Sequence, residues 1–420
     1  MSARIPRRAR IPRRARSAWD FVRREGRTFR QGSVALLLST FAGFVAGLTL
    51  ASITGTLERL PGLLVLIPAA VGMKGTIFGA IGARLGTANA VGLFTPSLTR
   101  GTVLYRNVYV AVVTTFTSSL WLALLARGAS AVFGVRSISV WDLALISIVG
   151  GALGSLLILM ITLVVSGLSY RRGWDLDAVT TPMVTALGDM TTLPSLFLAT
   201  YLVRNELVAR TATVLAIAVA IYAAIRAYTV ADAAIRRIVL EMTATILLTP
   251  ILDILAGAIL QARRPQLDAV PVLLALIPPF VSQAGALGGI FSSRITSKLQ
   301  IGVITARGRP EAPAMLDAAI VGALSVIVFA AIGALAYLLG HATDLEAVPS
   351  FGSLLGGTML AGVIVTPLTI VASYYLAIVT YRFGLDPDNQ SVPIITSLMD
   401  LTGVAVVLFV MTSSGVLPHG

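Results

Sequence analysis

Two aspartates stand inside long uncharged stretches of the chain, Asp189 and Asp400. At about 1.5 Å of rise per helical residue, each lies near the middle of a bilayer if its stretch spans one. An ionised carboxylate at that depth costs several kcal/mol unless it faces water, a cation or a partner. Both residues are therefore candidate functional groups.

A threonine precedes each aspartate by four residues, Thr185 before Asp189 and Thr396 before Asp400. Residues four apart share one face of a helix, so each pair presents oxygen atoms along one stripe. If the two stripes face each other, two carboxylates with hydroxyl groups beside them suit a hard divalent cation, above all Mg²⁺ or Mn²⁺. The alternative is a pair of protonated carboxyls with a structural role.

The stretches around the two aspartates are copies of one another. "GWDLDAVTTPMVTALGDMTT" (173–192) aligns without a gap with "GLDPDNQSVPIITSLMDLTG" (384–403). A second block, "PGLLVLIPAAVGMKGTIFGAIGARLGT" (61–87), aligns in the same way with "PVLLALIPPFVSQAGALGGIFSSRITS" (271–297). Two independent blocks at nearly one offset indicate an internal duplication.

The composition is that of a polytopic membrane protein. Of its 420 residues 56% are hydrophobic and 12% are charged, and the mean hydropathy is +0.88. The apolar runs are continuous rather than alternating, which indicates α-helices and not barrel strands. The predicted spans are 32–56, 61–84, 103–128, 140–168, 178–202, 207–228, 237–261, 271–295, 314–340, 353–380 and 390–415.

The duplication and the eleven spans together predict an all-α fold of two five-helix repeats. An additional spanning helix between them restores the orientation, so the repeats are parallel about a pseudo-two-fold axis along the membrane normal. The predicted division is a basic cytoplasmic arm (1–30), a first repeat (31–203), a linking transmembrane helix (204–230) and a second repeat (231–420).

Loop charge predicts the orientation. Arginine and lysine concentrate in alternate loops, which favours a cytoplasmic N-terminus and an outside C-terminus, in the plasma membrane. The arginine-rich arm, "RIPRRARIPRRARSAWDFVRREGRTFR", is expected to face the cytoplasm, where it also has the charge to bind anionic lipid headgroups. It lacks the pattern of a signal peptide.

Other acidic residues are weaker candidates for a functional role. Asp175, Asp177, Asp386 and Asp388 begin the two aspartate-bearing helices, either as helix caps or as a vestibule that concentrates cations. Glu58 and Asp268 are repeat equivalents that form either an outer cation mouth or solvated loop carboxylates. Asp253 has no acidic counterpart, because Gly43 occupies the equivalent position. It is a possible site for a coupling ion or a proton.

The motifs resemble a known family. Asp386-Pro387, Pro393, Thr396, Asp400 and Thr402-Gly403 resemble the fifth membrane helix of MgtE-type magnesium transporters. Lys74-Gly75 through Thr87, and Ser293-Arg294 through Ser297, resemble a segment of their solute-carrier family 41 relatives, which fuse two such five-helix units. The resemblance implies that Asp189 and Asp400 bind hydrated Mg²⁺ on a central path. It also implies that the family's cytoplasmic regulatory domains are missing here.

The expected function is divalent cation transport, with Mg²⁺ as substrate and Mn²⁺, Co²⁺ or sodium- or proton-coupled exchange left open. Neither enzymatic activity nor a cofactor is expected, since the chain has no cysteine and its two histidines lie outside the spans. We also expect no nucleic-acid ligand and infer no obligate protein partner. The rivals are an anion transporter and an intramembrane aspartyl protease, whose Gly-x-Gly-Asp and Pro-Ala-Leu motifs are missing.

Overall fold

A computed structural model describes residues 18–90, 95–172, 176–204, 206–384 and 387–418. In parts of the helices only the backbone is described, among them 18–32, 165–172 and 176–186. Asp175, Asp386 and the first seventeen residues of the basic arm therefore lie outside the described residues. The side chains of Asp177, Thr185, Asp189 and Asp388 do so as well.

The described residues fold into α-helices and short connections. The helices are α1 (Ala18–Ser52), α2 (Thr54–Arg59), α3 (Leu63–Ala90), α4 (Val103–Val132), α5 (Val140–Arg172), α6 (Leu176–Thr200), α7 (Glu206–Thr229), α8 (Ala233–Ala262), α9 (Arg264–Asp268), α10 (Pro271–Gln300), α11 (Ala312–Ala342), α12 (Phe351–Arg382) and α13 (Pro387–Ser413). A 3₁₀ turn, Tyr201–Arg204, follows α6.

Each of the eleven predicted spans corresponds to one long helix. Within the described residues nine of them are long and apolar enough to cross a membrane. The other two, α1 and α6, have shorter described apolar stretches, 36–52 and 190–203. The prediction of an all-α membrane protein is confirmed. The sequence did not predict the short helices α2 and α9, nor that α1 begins at Ala18, inside the basic arm.

The connections between the helices lie at two opposite ends of the bundle. At one end, Arg106 at the start of α4 pairs with Asp232 before α8, and Arg382 at the end of α12 donates to the carbonyl oxygen of Ala306. At the other end, the backbone N–H of Ile138, before α5, donates to the carbonyl oxygen of Pro61, before α3. In these contacts, loops that are separated by an even number of long helices meet at the same end, as helices of alternating direction require.

The two repeats exchange their first helices. α1 of the first repeat packs on α10, the second helix of the second repeat, while α8 packs on α3 in the equivalent way. A Cβ atom at Gly47 would collide with the carbonyl oxygen of Ala275, and one at the repeat-equivalent Gly257 would collide with that of Val65. Equivalent glycines therefore allow equivalent close backbone approaches on both sides of the pseudo-two-fold axis.

The linking helix α7 lies at the periphery of the bundle. It packs against α4 and α5 of the first repeat, and only 28% of its apolar stretch is buried, the lowest share among the nine candidate spans. Its remaining surface is rich in exposed apolar side chains such as Val214, Leu215 and Tyr222. α7 thus connects the repeats from the periphery, and it also contacts α8 of the second repeat, where Tyr228 shares a hydrogen bond of 3.0 Å with Thr243.

The helix crossings give a first prediction. Gly47→Ala and Gly257→Ala should each destabilise the fold by about 1–3 kcal/mol, since backbone atoms must move to admit the methyl group. The measurement is the thermal unfolding midpoint of the purified protein in detergent. Gly322→Ala is the control, because a Cβ atom there meets nothing within 4 Å among the described residues. Equal midpoints for all three variants would contradict the predicted crossing geometry.

The alternating loops give a second prediction, on orientation. The chain has no cysteine, so single cysteines can be introduced without background. With a cytoplasmic N-terminus, a cysteine at the exposed Ser413 should react with an impermeant maleimide added outside intact cells. A cysteine at Val303, in the loop after α10, should react only after the cells are opened. The reverse pattern would invert the proposed topology.

Candidate functional site

A cavity of roughly 620 Å³ lies between the two repeats. Its walls come from the first, second and fifth helices of both repeats, and repeat-equivalent residues face each other across it. The pairs are Ala46 and Ala256, Leu50 and Leu260, Ile67 and Ile277, Pro68 and Pro278, Val71 and Val281, Gly75 and Gly285, and Gly79 and Gly289. The cavity therefore coincides with the pseudo-two-fold axis.

Glycine and proline shape the walls from α3 and α10. Both helices continue through Pro68 and Pro278, where the missing N–H leaves a backbone carbonyl one turn earlier without its helical partner. Gly285 also serves helix packing, because a Cβ atom there would approach Thr396 of α13 to 3.0 Å. The Gly-xxx-Gly spacing is thus both a helix contact and a cavity wall.

Asp400 and Thr396 of α13, two of the predicted site residues, both line this cavity. Asp400 is 8% exposed, so its carboxylate lies in the wall and not in open solvent. The hydroxyl of Thr396 donates to the carbonyl oxygen of Val392 at 2.9 Å, which leaves its lone pairs free to accept from a water or to contact a cation. The fifth helix of the second repeat thus supplies the Asp400 carboxylate and the Thr396 hydroxyl to the cavity.

The equivalent residues of the first repeat are on α6. The structure gives their backbone, which is helical, and leaves the side chains of Asp189 and Thr185 outside the described residues. One turn further on, Leu193 of α6 and its repeat equivalent Val404 of α13 both line the cavity. The helix register that brings Val404 and Asp400 to the cavity therefore recurs in α6.

Asp253 of α8 lies beside the cavity and is fully buried. A Cβ atom at Gly72, which lines the cavity, would come within 2.5 Å of its Oδ2 atom. Ser397 and Asp400 are its polar neighbours on α13. The sequence identified Asp253 as an isolated acid and missed this proximity, which depends on how α8, α3 and α13 pack together.

Lys74 of α3 is the buried cation of the first repeat, with only 3% of its surface exposed. It donates to the carbonyl oxygen of Gly151 and to the hydroxyl of Ser155, both on α5. Ser155 in turn shares a hydrogen bond of 2.9 Å with Thr115 of α4. Lys74 therefore points into its own repeat, and Ala284 stands at the equivalent position in the second repeat.

Arginine stands at equivalent positions near one end of the cavity. Arg294 of α10 lines the cavity and, with Lys298, binds the fully buried Asp317 of α11. In the first repeat Arg84 donates instead to the side-chain oxygen of Asn107 at 2.8 Å. Both arginines thus anchor the second helix to the third, through a carboxylate in one repeat and an amide in the other.

Glu58 and Asp268 come together near the opposite end of the bundle, around Arg264. The distances from the guanidinium are 3.8 Å to Glu58 and 3.2 Å to Asp268. Burial raises the pKa of Asp268, Arg264 lowers it and Glu58 raises it, with a net upward direction. The predicted acidic mouth is therefore a mixed-charge cluster that already contains its own cation.

The oxygen ligands around the cavity suit a cation that keeps much of its water. Among the described residues, no three histidine, aspartate or glutamate side chains come together as a metal site. Asp400 and Thr396, together with the carbonyls of the proline-containing helices, are hard oxygen donors. Mg²⁺ gives up water reluctantly and commonly binds through one or two carboxylates.

The Arg294 cluster gives a third prediction. Asp317→Ala should destabilise the protein by about 3–5 kcal/mol, because it leaves Arg294 and Lys298 beside an empty buried position. Asp317→Asn should cost clearly less, since it copies the pairing of Arg84 with Asn107. Thermal unfolding of both variants in detergent tests this order. If both lose the same stability, the amide does not substitute for the carboxylate.

Comparison with known proteins gives one match. The sequence model of a family described as MgtE, divalent cation transporter, matches residues 67–199 and 277–410, once in each repeat. Each matched region begins inside the second helix of its repeat and reaches into the fifth, so it contains the helices that carry Asp189 and Asp400. Nothing among the curated proteins or the solved structures matches the chain.

Proposed function

Because the chain belongs to the MgtE family of divalent cation transporters, we propose that its substrate is Mg²⁺ and that the ion crosses between the two repeats. The observation that carries the proposal is Asp400 in the wall of a cavity built from repeat-equivalent residues. A carboxylate buried in an apolar bundle favours a cation over an anion, and the family assignment favours transport over peptide hydrolysis.

The proposed path uses the cavity as a hydrated binding compartment. Asp400 attracts the ion, and water molecules held by Thr396 and by backbone carbonyls complete its coordination. Binding through water fits the chemistry of Mg²⁺ and leaves the ion loosely enough held to depart. Mn²⁺ and Co²⁺ can also bind oxygen ligands, and flux measured with each ion in turn gives the order among them.

Asp189 is proposed as the partner of Asp400 across the axis. The support is the gapless alignment of the two helices and the position of Leu193, which lies four residues after Asp189 and lines the cavity. Residues four apart share a helix face. Thr185 precedes Asp189 by four residues and is proposed to hold water as Thr396 does.

The acidic residues at the starts of α6 and α13 are proposed as a vestibule at the cytoplasmic end. Asp177 and Asp388 lie in the first turns of these helices, where the helix dipole also favours negative charge. Asp175 and Asp386 precede them in the chain. We further propose a cytoplasmic N-terminus in the plasma membrane, with the basic arm against anionic headgroups.

The test of the proposed site is transport by purified protein in liposomes loaded with a Mg²⁺-sensitive dye. Asp400→Asn and Asp189→Asn should each lower the Mg²⁺ flux roughly ten- to a hundredfold, the effect of losing one interaction with a charged group. The double Asn variant should abolish flux while the protein still folds, since removing buried charges need not destabilise an apolar bundle.

Asp142→Asn is the matched control for that experiment. Asp142 begins α5 outside the cavity, where it accepts a hydrogen bond from Ser139 at 2.7 Å. Its variant should transport Mg²⁺ like the unmodified chain. A folded double Asn variant with unreduced flux would reject the central site. Imposed sodium and proton gradients in the same liposomes would reveal coupling.

A further inference from the structure

A second described carboxylate, on α8, lies beside the cavity. Asp253 lies on the same helix face as Ala256 and Leu260, three and seven residues further on, and both of these line the cavity. Its carboxylate is fully buried and packs against the Cα atom of Gly72, which is also part of the wall. Asp253 is thus held between α3 and α13 at the height of Asp400.

The surroundings of Asp253 offer its oxygens few hydrogen-bond partners, and the two that lie nearest are side chains of α13. Neither Oδ1 nor Oδ2 has a hydrogen bond of regular geometry to any described residue. Its neighbours on α13 are Ser397 and Asp400. The Ser397 hydroxyl carries no charge, and an ionised Asp400 would repel an ionised Asp253. Burying an ionised carboxylate in this way is costly unless a cation or a proton neutralises it.

The equivalent interface on the other side of the axis is different. Gly43 of α1 replaces Asp253, and Ser282 of α10 replaces Gly72. Gly43 lies close to α10, since a Cβ atom there would approach Pro279 to 2.9 Å. Only a residue without a Cβ atom at position 72 leaves room for the carboxylate of Asp253.

We propose that Asp253 and Asp400 together form one two-carboxylate site for the divalent cation, on the second-repeat side of the cavity. The inference rests on the proposed function and makes it more specific, because Asp253 has no acidic counterpart in the first repeat and the binding site is then asymmetric within a pseudo-symmetric fold. Two carboxylates neutralise a divalent ion, whereas a monovalent ion leaves one charge uncompensated in the apolar bundle. Asp253 thereby acts as a selectivity residue for divalent over monovalent cations.

Equilibrium binding of Mn²⁺ to the purified full chain in detergent tests the proposal, followed by the electron paramagnetic resonance signal of the free ion. Competition of Mg²⁺ and of Na⁺ with bound Mn²⁺ gives the affinities of the protein for Mg²⁺ and for Na⁺. Asp253→Asn should weaken Mn²⁺ and Mg²⁺ binding about tenfold or more, since affinity follows the charge count of the ligands. Na⁺ affinity should change less, so the preference for divalent ions falls.

A symmetrised variant, Asp253→Gly with Gly72→Ser, is the matched second arm. It copies into the second interface the pair Gly43 and Ser282 that the first interface already contains, so it is designed to fold even where Asp253→Asn does not. It should lose divalent affinity to the same extent as Asp253→Asn. Gly72→Ala alone should also weaken Mn²⁺ binding, because its methyl group displaces the Asp253 carboxylate.

The outcomes separate this inference from the proposed function. If Asp400→Asn loses Mn²⁺ binding while Asp253→Asn and the symmetrised variant keep it, the two-carboxylate site is wrong and the central site stands. If Asp400→Asn also keeps full binding, the proposed central site is wrong as well. Unchanged divalent preference over Na⁺ in a folded Asp253 variant would remove its role in selectivity.

Discussion

The backbone contact at the crossing of the exchanged helices is the constraint on which the cavity depends. Gly47 lies against the carbonyl of Ala275, and Gly257 lies against that of Val65. Any side chain at either glycine would separate a first helix from the second helix of the other repeat. Because both crossings form walls of the cavity, their closeness sets its width. The two repeats are therefore one folding unit, since neither can complete its share of the wall without a helix from the other.

The packing of the helices also determines which groups surround each buried charged side chain. Among the described residues, α3 contributes a lysine that is stabilised by the carbonyl of Gly151 and the hydroxyl of Ser155, away from the cavity. α8 contributes an aspartate that faces α13. Low dielectric makes each of these charges costly without a partner. Lys74 has hydrogen-bond acceptors in its own repeat, whereas Asp253 has another carboxylate as a neighbour. Lys74 is thus stabilised within its own repeat, whereas Asp253 and Asp400 place two neighbouring carboxyl groups beside the cavity.

The sequence predicted the fold better than the site. Long apolar runs and two gapless alignments were enough to predict the long helices, the duplication and the place of α7, because bilayer thickness and repeat symmetry act on the local sequence. The spacing of Thr396 and Asp400 placed both on one face of α13, and that face lines the cavity. The exchange of α1 and α8 between the repeats was not predicted. The proximity of Asp253 to Asp400 depends on that exchange, and no spacing along the chain encodes it.

A fused pair of repeats permits what two identical chains cannot. In an assembly of identical units, a change at one position appears on both sides of the axis, so an aspartate in the first helix would bring two additional charges to the cavity. One chain with two copies can place Asp253 on one side and keep Gly43 on the other. The second helices differ at the equivalent position as well. Gly72 leaves room for the carboxylate of Asp253, and Ser282 stands at this position in the repeat interface that has no such carboxylate. Paired differences of this kind are expected when one interface adapts around a charge while the other keeps the uncharged packing.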